Sequence, residues 1–199
     1  ITVHTHLKME GAWRVSAASG FPLRDHRIRL ILANTQWQAV GYQLGIVEVV
    51  RTSKEDLAVG HLGPDLLGPG WDADEAVRRL SAQPGRTIGE ALLDQRNLAG
   101  IGTIYRAETL FLRGVNPWRP VGEVPDLLGL VEMARRLLEA NKARVETITT
   151  GNAARGSQLW VYGRAGQRCR RCGTTILRGN LGPQLEERTA VWCPNCQPQ

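Results

Sequence analysis

Apolar and polar positions alternate with a period of two over residues 1 to about 52. They then lose periodicity, return at three- and four-residue spacing, and break up again among glycines and cysteines. Ile1-Thr2-Val3-His4-Thr5-His6-Leu7 alternates from the first residue, as a half-buried strand does. Strand-like runs recur around Ala12–Val15, Ile28–Leu32, Trp37–Tyr42 and Ile46–Val50. They are separated by a Gly/Ser/Pro loop near Ser19 to Pro22, by Asn34-Thr35 and by Gly45. Short strands joined by short turns predict an antiparallel meander. Since Ile1 is not Met and already lies inside the alternation, the sheet is expected to be entered midway, with part of it supplied upstream. His4 and His6 share a face and could form a metal pair, but no third ligand is near in sequence, which favours a solvent-side or core-edge pair.

Leu57 to Trp71 has no period and is rich in Gly and Pro, as a linker is. Helical patterning follows. Asp72 can cap a helix with Ala76, Val77 and Leu80 on one face, ending near Gln83-Pro84-Gly85. Thr87 and Glu90 have capping-box spacing and open a helix through Leu92 and Leu93. A tight turn, Gly100-Ile101-Gly102-Thr103, leads into a second helix, Ile104 to Arg113, closed by Gly114. Glu123 to about Ile148 reads as one long amphipathic helix whose apolar side holds Leu127, Leu130, Val131, Ala134, Leu137, Leu138 and Val145.

Cysteine changes the picture most. All four cysteines fall in two C-x-x-C pairs, Cys169/Cys172 and Cys193/Cys196, separated by twenty residues. Such pairs supply four thiolates to a tetrahedral Zn²⁺, with a hairpin between the knuckles bringing the second pair back. Two disulfides would use the same residues, but a chain of 199 residues can bury a core without staples. Gly173, Gly179 and Gly182-Pro183 punctuate the hairpin, and Thr189–Trp192 forms its returning strand. A hairpin this small would be held by the ion.

The chain carries a formal charge of +6, and residues 151–199 hold seven arginines against Glu186 and Glu187, a net +5. Crowding of cations at one end suggests a polyanionic partner, although arginine is also this chain's preferred base throughout. Leu92 to Tyr105 places two helices across a loop with two glycines, where a phosphate could approach the backbone N–H groups at the second helix's start. An ordinary helical hairpin has the same pattern. No apolar run approaches the ~20 residues that cross a bilayer, and no signal peptide is visible. Reduced thiols point to a reducing compartment such as the cytosol.

Three blocks then carry a resemblance to the bacterial formamidopyrimidine-DNA glycosylase / endonuclease VIII family, and especially to its actinobacterial endonuclease VIII forms. His61-Leu62-Gly63-Pro64-Asp65 is similar to the family's interdomain segment, Leu92–Tyr105 to its helix–two-turn–helix, and Val161–Gln197 to its zinc finger. His6–Trp13 resembles the family's duplex-inserting turn. The resemblance implies an α+β multidomain fold. Residues 1–55 would be the remainder of an antiparallel β-sandwich domain and 56–71 a linker. Residues 72–160 would form the helical DNA-binding domain and 161–199 a β-hairpin zinc finger with one structural Zn²⁺.

It also implies a base-excision DNA glycosylase and AP lyase that flips out oxidised bases, with a lean to pyrimidines, and cuts by β,δ-elimination. Arg188 falls where the family bridges phosphates, and Gly102-Thr103 where the helix start grips the phosphate beside the lesion. Thr103 replaces the family's usual Asn, which weakens the expectation for that contact. Met9 falls where the family fills the vacated base position, and Gln43 and Leu44 near the companion wedge.

The family's catalytic Pro, Glu and Lys precede the strand on which Ile1 lies, so no catalytic residue is expected within the chain, which should bind DNA without cutting it. The implied partner is damaged double- or single-stranded DNA, bound by a monomer in the bacterial cytoplasm at the nucleoid. A non-catalytic damaged-DNA-binding protein and an RNA-binding protein are the alternatives, the latter because both DNA-gripping parts also occur in ribosome-associated proteins.

Overall fold

The computed structural model describes all residues except Met9, 19–23 and 183–186. The expected wedge residue Met9, the loop near Ser19 to Pro22, and Pro183 and Glu186 of the finger therefore lie outside the described residues. The chain divides into two compact units, Ile1–His61 and Leu62–Gln199.

The first unit is built of β1 (Thr2–His6), β2 (Ala12–Ala17), β3 (Ile28–Ala33), β4 (Trp37–Tyr42) and β5 (Ile46–Val50). All pairings are antiparallel, but the order is not a meander. β1 pairs with β5, and β4 lies between β2 and β3. Burial explains the centre: β4 carries Gln38, Val40 and Gly41, all buried, so it profits most from a neighbour on each side. The Asn34-Thr35 turn forms as expected, with the Asn34 Oδ1 accepting from the N–H groups of Gln36 and Trp37 at 2.8 and 2.7 Å. His4 lies opposite Glu48 and bonds its carboxylate at 3.0 Å, whereas the His6 Nδ1 accepts from the Lys8 N–H. The two histidines thus serve the strand edge. A short helix, α1 (Asp56–Val59), ends this unit's regular structure.

In the second unit, α2 (Ala73–Ser81) starts at Asp72, whose carboxylate accepts the Glu75 N–H at 3.0 Å. α3 (Ile88–Ala91) starts at Thr87, where the hydroxyl turns to the Glu90 carboxylate instead of a backbone N–H. α4 (Thr103–Leu112) and α5 (Leu127–Asn141) complete the helices. α5 is shorter at both ends than its periodicity. Pro125 disfavours helix at Val124, and Asp126 caps the true start through the Gly129 N–H at 2.8 Å. At the far end the buried Asn141 amide binds the Leu137 carbonyl and both backbone groups of Ile148, turning the chain back. Val145, expected on the apolar side, is fully exposed beyond that stop.

Leu80, Ile88, Leu92, Leu98, Leu110 and Leu130 form one core, each excluded from solvent. Burying a side chain of this size is worth about 2 kcal/mol. Leu66, inside the stretch expected as a linker, belongs to the same core. Its segment pairs with the glycine turn, Ala99 N–H to the Pro64 carbonyl at 2.8 Å and Leu66 N–H to the Ala99 carbonyl at 3.1 Å. The opposite side of α4, through Ala107 and Phe111, packs on a second cluster with Val161, Ile176, Val191 and Cys193. That cluster seats the hairpin of β6 (Leu177–Leu181) and β7 (Arg188–Trp192). Among the described residues no helix is long and apolar enough to cross a membrane.

Candidate nucleic-acid interface

The four cysteines converge. Their sulfurs lie within 4.8 Å of one another, with Cys169–Cys196 at 3.9 Å and Cys172–Cys193 at 3.4 Å. Four thiolates at ~2.3 Å from one ion would stand roughly 3.8 Å apart, so the set fits a metal ion. All four are free thiols, and no other such cluster occurs among the described residues. Hydrogen bonds from the Thr174 side chain, then from its backbone, pull the Cys172 thiol down to about 6, while burial pushes Cys193 and Cys196 up. Behind the second knuckle, the buried Gln197 side chain takes the Cys193 N–H at 3.0 Å and gives a hydrogen bond to the Val115 carbonyl at 2.8 Å. The cysteine site is thereby tied to the loop after α4.

The glycine turn is held by side chains that a search for glycines misses. Gly100 adopts φ +99°, which only glycine takes without strain. Gln95 spans the turn, accepting the Gly100 N–H at 2.9 Å and donating to the Ile101 carbonyl at 3.0 Å. Asp94 anchors the approach to the turn by pairing with Arg96 and Arg86, both at 2.7 Å, and these cations hold its carboxyl well below the usual range. The turn delivers Gly102 as the N-cap of α4 with no side chain over the helix end, and open space lies where its Cβ would be. The first N–H groups of a helix have no partner within it, and the dipole there favours an anion.

From this bare end opens a groove of about 590 Å³, lined by Thr103, Tyr162, Gly163, Ala165, Arg178, Glu187, Arg188, Thr189 and Val191. Thr103 and Arg188, expected as site residues from distant parts of the chain, meet here. Arg178 on β6 joins them and was not anticipated. Both arginines are exposed, and neither makes a side-chain hydrogen bond or ion pair among the described residues.

The finger's positive charge is less available than its count suggested. Arg164 is buried, donating to the Trp160 and Arg168 carbonyls. Arg170 binds the Leu159 and Gly156 carbonyls, and Arg171 lies over the Phe111 ring at 4.4 Å and the Trp160 ring at 5.6 Å. These three arginines staple the segment before the finger to α4 and the first knuckle. Arg155, Arg168, Arg178 and Arg188 remain for a partner.

Two charged residues inside α4 were also overlooked. Glu108 is fully buried and accepts the N–H groups of Trp160, Val161 and Tyr162 at 2.8 to 2.9 Å, together with the Thr149 hydroxyl. Arg106 is 1% exposed, and burial pushes its pKa down to about 10. The signal that could have found them is their isolation: they are the only charges between Ile104 and Leu112.

In the first unit, Lys8 (φ +50°) and Gln43 (φ +46°) are the non-glycine residues with left-handed backbone among those described. They occupy adjoining turns. The Gln43 amide reaches the Glu10 carboxylate at 3.4 Å, and the Lys8 side chain lies on Gly45, where a Cβ would come within 2.5 Å of it. Gln43 is exposed, while Leu44 is buried against Gly41 and near Trp13.

A bare helix end that shares a groove with two guanidinium groups unpaired among the described residues defines an anion-binding surface, and comparison with known proteins gives its family. A family model described as the formamidopyrimidine-DNA glycosylase H2TH domain matches residues 62–143. The chain is 51% identical over 203 residues to Probable endonuclease 8 2 of Streptomyces coelicolor, a match spanning 99% of this chain and 72% of that protein. It is 47% identical over 196 residues to DNA-(apurinic or apyrimidinic site) lyase Nei2 of Mycolicibacterium smegmatis, spanning 98% and 75%. Among solved structures, Lactococcus lactis Fpg (MutM) in complex with a FAPY-dG containing DNA matches at TM-score 0.79 and 25% identity, covering 99% of this chain and 75% of that one. The chain belongs to the formamidopyrimidine-DNA glycosylase / endonuclease VIII family, on its actinobacterial endonuclease VIII side.

Proposed function

We propose that this chain grips damaged DNA in the service of a bifunctional DNA glycosylase and AP lyase activity of base-excision repair, acting on oxidised bases with a lean to pyrimidines. The observation that carries the reading is the shared groove of Thr103 and Arg188. One phosphate there would meet the N–H groups at the α4 start, a hydroxyl from Thr103 and the fork of Arg188, with Arg178 beside it. Thr103 supplies a single hydroxyl donor where the family usually has an amide, so the helix end and the arginines carry more of the grip.

One structural Zn²⁺ on Cys169, Cys172, Cys193 and Cys196 would hold the hairpin that presents Arg178 and Arg188. Its contribution is to fold, and no proton or bond change is routed through it. The adjoining turns at Lys8 and Gln43 would enter the duplex. Two left-handed non-glycine residues there store strain of the kind found at functional turns, which supports that role. Gln43 presents itself outward, and Leu44 would have to leave its buried seat to act as a wedge. No residue of the 199 is proposed as the nucleophile.

Folding units follow the sequence reading in this proposal: a β part, a linker, a helical part and the finger. The protein would work as a monomer in the bacterial cytoplasm, at the nucleoid. Binding of an abasic-site duplex, the same duplex undamaged and a structured RNA at one fixed salt concentration tests the reading. Preference for the abasic duplex, weakened in Arg188→Ala, is expected. Equal binding of all three, or indifference to Arg188→Ala, overturns it.

A further inference from the structure

We propose that Arg106 is a further anion-binding residue, a guanidinium beneath the groove that completes its hydrogen bonding on a DNA phosphate seated above. The inference rests on the DNA-binding reading of the same groove. Arg106 follows Thr103 by one turn of α4, so the two share a helix face. Its Nη2 donates to the carbonyl of Thr189 at 2.5 Å. Thr103, Tyr162 and Thr189 all line the groove.

The side chain is 1% exposed, yet its Nη1 has no hydrogen-bond partner among the described residues. Nor does any carboxylate pair with it among the described residues; Glu108, two positions on, is occupied by the N–H groups of residues 160–162. A desolvated cation with a donor to spare and no counter-charge is costly to keep. An apolar side chain would seat more favourably between α4 and β7 if filling space were the only need. An anion in the groove resolves both deficits, supplying the missing acceptor and the missing charge. It also offsets the single donor at Thr103.

Arg106→Met keeps the length and removes the charge. Replacing a buried ion by a well-packed apolar residue is often neutral or stabilising. For the metal-loaded protein, the expected result is an unchanged or raised Tm and a Kd for an abasic-site duplex weakened about tenfold, the scale of one lost charged hydrogen bond. The slope of log K against log salt should fall by about one unit. Wild-type Kd and slope in the variant overturn the proposal, as does a lowered Tm with Kd unchanged.

If Arg106→Met does not fold, Arg106→Lys retains the charge but gives up the planar fork. A weakened Kd at unchanged Tm then supports the proposal, and wild-type Kd overturns it. Failure of the wild-type protein to bind the duplex removes the DNA-binding reading itself. Normal wild-type binding with an indifferent variant removes only the role of Arg106.

Discussion

The carboxylate of Glu108, at the centre of α4, accepts the backbone N–H of Tyr162 at 2.9 Å. Tyr162 is a wall of the groove whose other side begins at Thr103 on the same helix. One buried side chain therefore sets how far the segment before the finger stands from the helix end that would receive a phosphate. Glu108→Ala leaves the N–H groups of Trp160, Val161 and Tyr162 without their acceptor. A stability loss of about 3 kcal/mol is expected from removing one partner of a buried charged group, read by urea unfolding. Wild-type stability in the variant contradicts this role.

Metal removal should act on the hairpin first. The cluster around Cys169, Cys193, Ile176 and Val191 is small, and the loop from Cys172 to Cys193 closes through the ion. Chelation is expected to change the emission of Trp160 and Trp192 and to abolish DNA capture, while α2 and α5, whose core lies on the other side of α4, keep their circular dichroism. Capture that survives complete metal loss would remove the finger from the interface.

Arg188→Ala and Arg178→Ala each take one cation from the groove. Each is expected to reduce the slope of log K against log salt by about 0.9 and to leave the unfolding free energy within ~0.5 kcal/mol of wild type. Thr103→Asn should tighten binding, since an amide can donate from a longer reach at the α4 start. Fluorescence anisotropy over a salt series measures all three. A salt slope unchanged in both arginine variants would rule out phosphate contacts in this groove.

Acid should loosen α2 through a specific pair of contacts. Hydrogen bonds from Arg78, then Arg79, lower the Glu75 pKa from 4.5 to about 2. A depressed folded-state pKa means that the stabilisation is complete above the unfolded value and is lost as pH falls through about 2. The wild-type protein is therefore expected to lose more stability than Glu75→Gln between pH 5 and pH 2. Parallel acid curves for the two proteins would show that the contacts contribute nothing. Arg78 is exposed and Glu75 and Arg79 are partly exposed, so the difference should also shrink in high salt.

Some of this could be read from order along the chain alone. Paired cysteines, the Asp72 cap, the Asn34 turn and the glycine-hinged start of α4 each depend on atoms within a few residues of one another, where backbone sterics and ligand reach act directly. The same local chemistry made the Leu92–Tyr105 and Val161–Gln197 blocks distinctive enough to match a family. Periodicity was a weaker guide. It carried α5 past Asn141 because the pattern cannot register a side chain that binds Ile148 and stops the helix.

What remained for three-dimensional packing was the choice of partners. β4 rather than β3 sits beside β2 because burial across the sheet decides strand order. Arg164, Arg170 and Arg171 look like a ligand-facing run until carbonyls and aromatic rings claim them. Arg178 and Arg188 look the same in composition, yet both line the groove and have no side-chain partner among the described residues. Arg106 and Glu108 are separated by one residue and differ in fate for the same reason: each depends on which distant backbone arrives beside it, Thr189 in one case and Trp160 to Tyr162 in the other. Charge is a property of the residue, but whether it is spent internally or offered outward depends on contacts made across the folded chain.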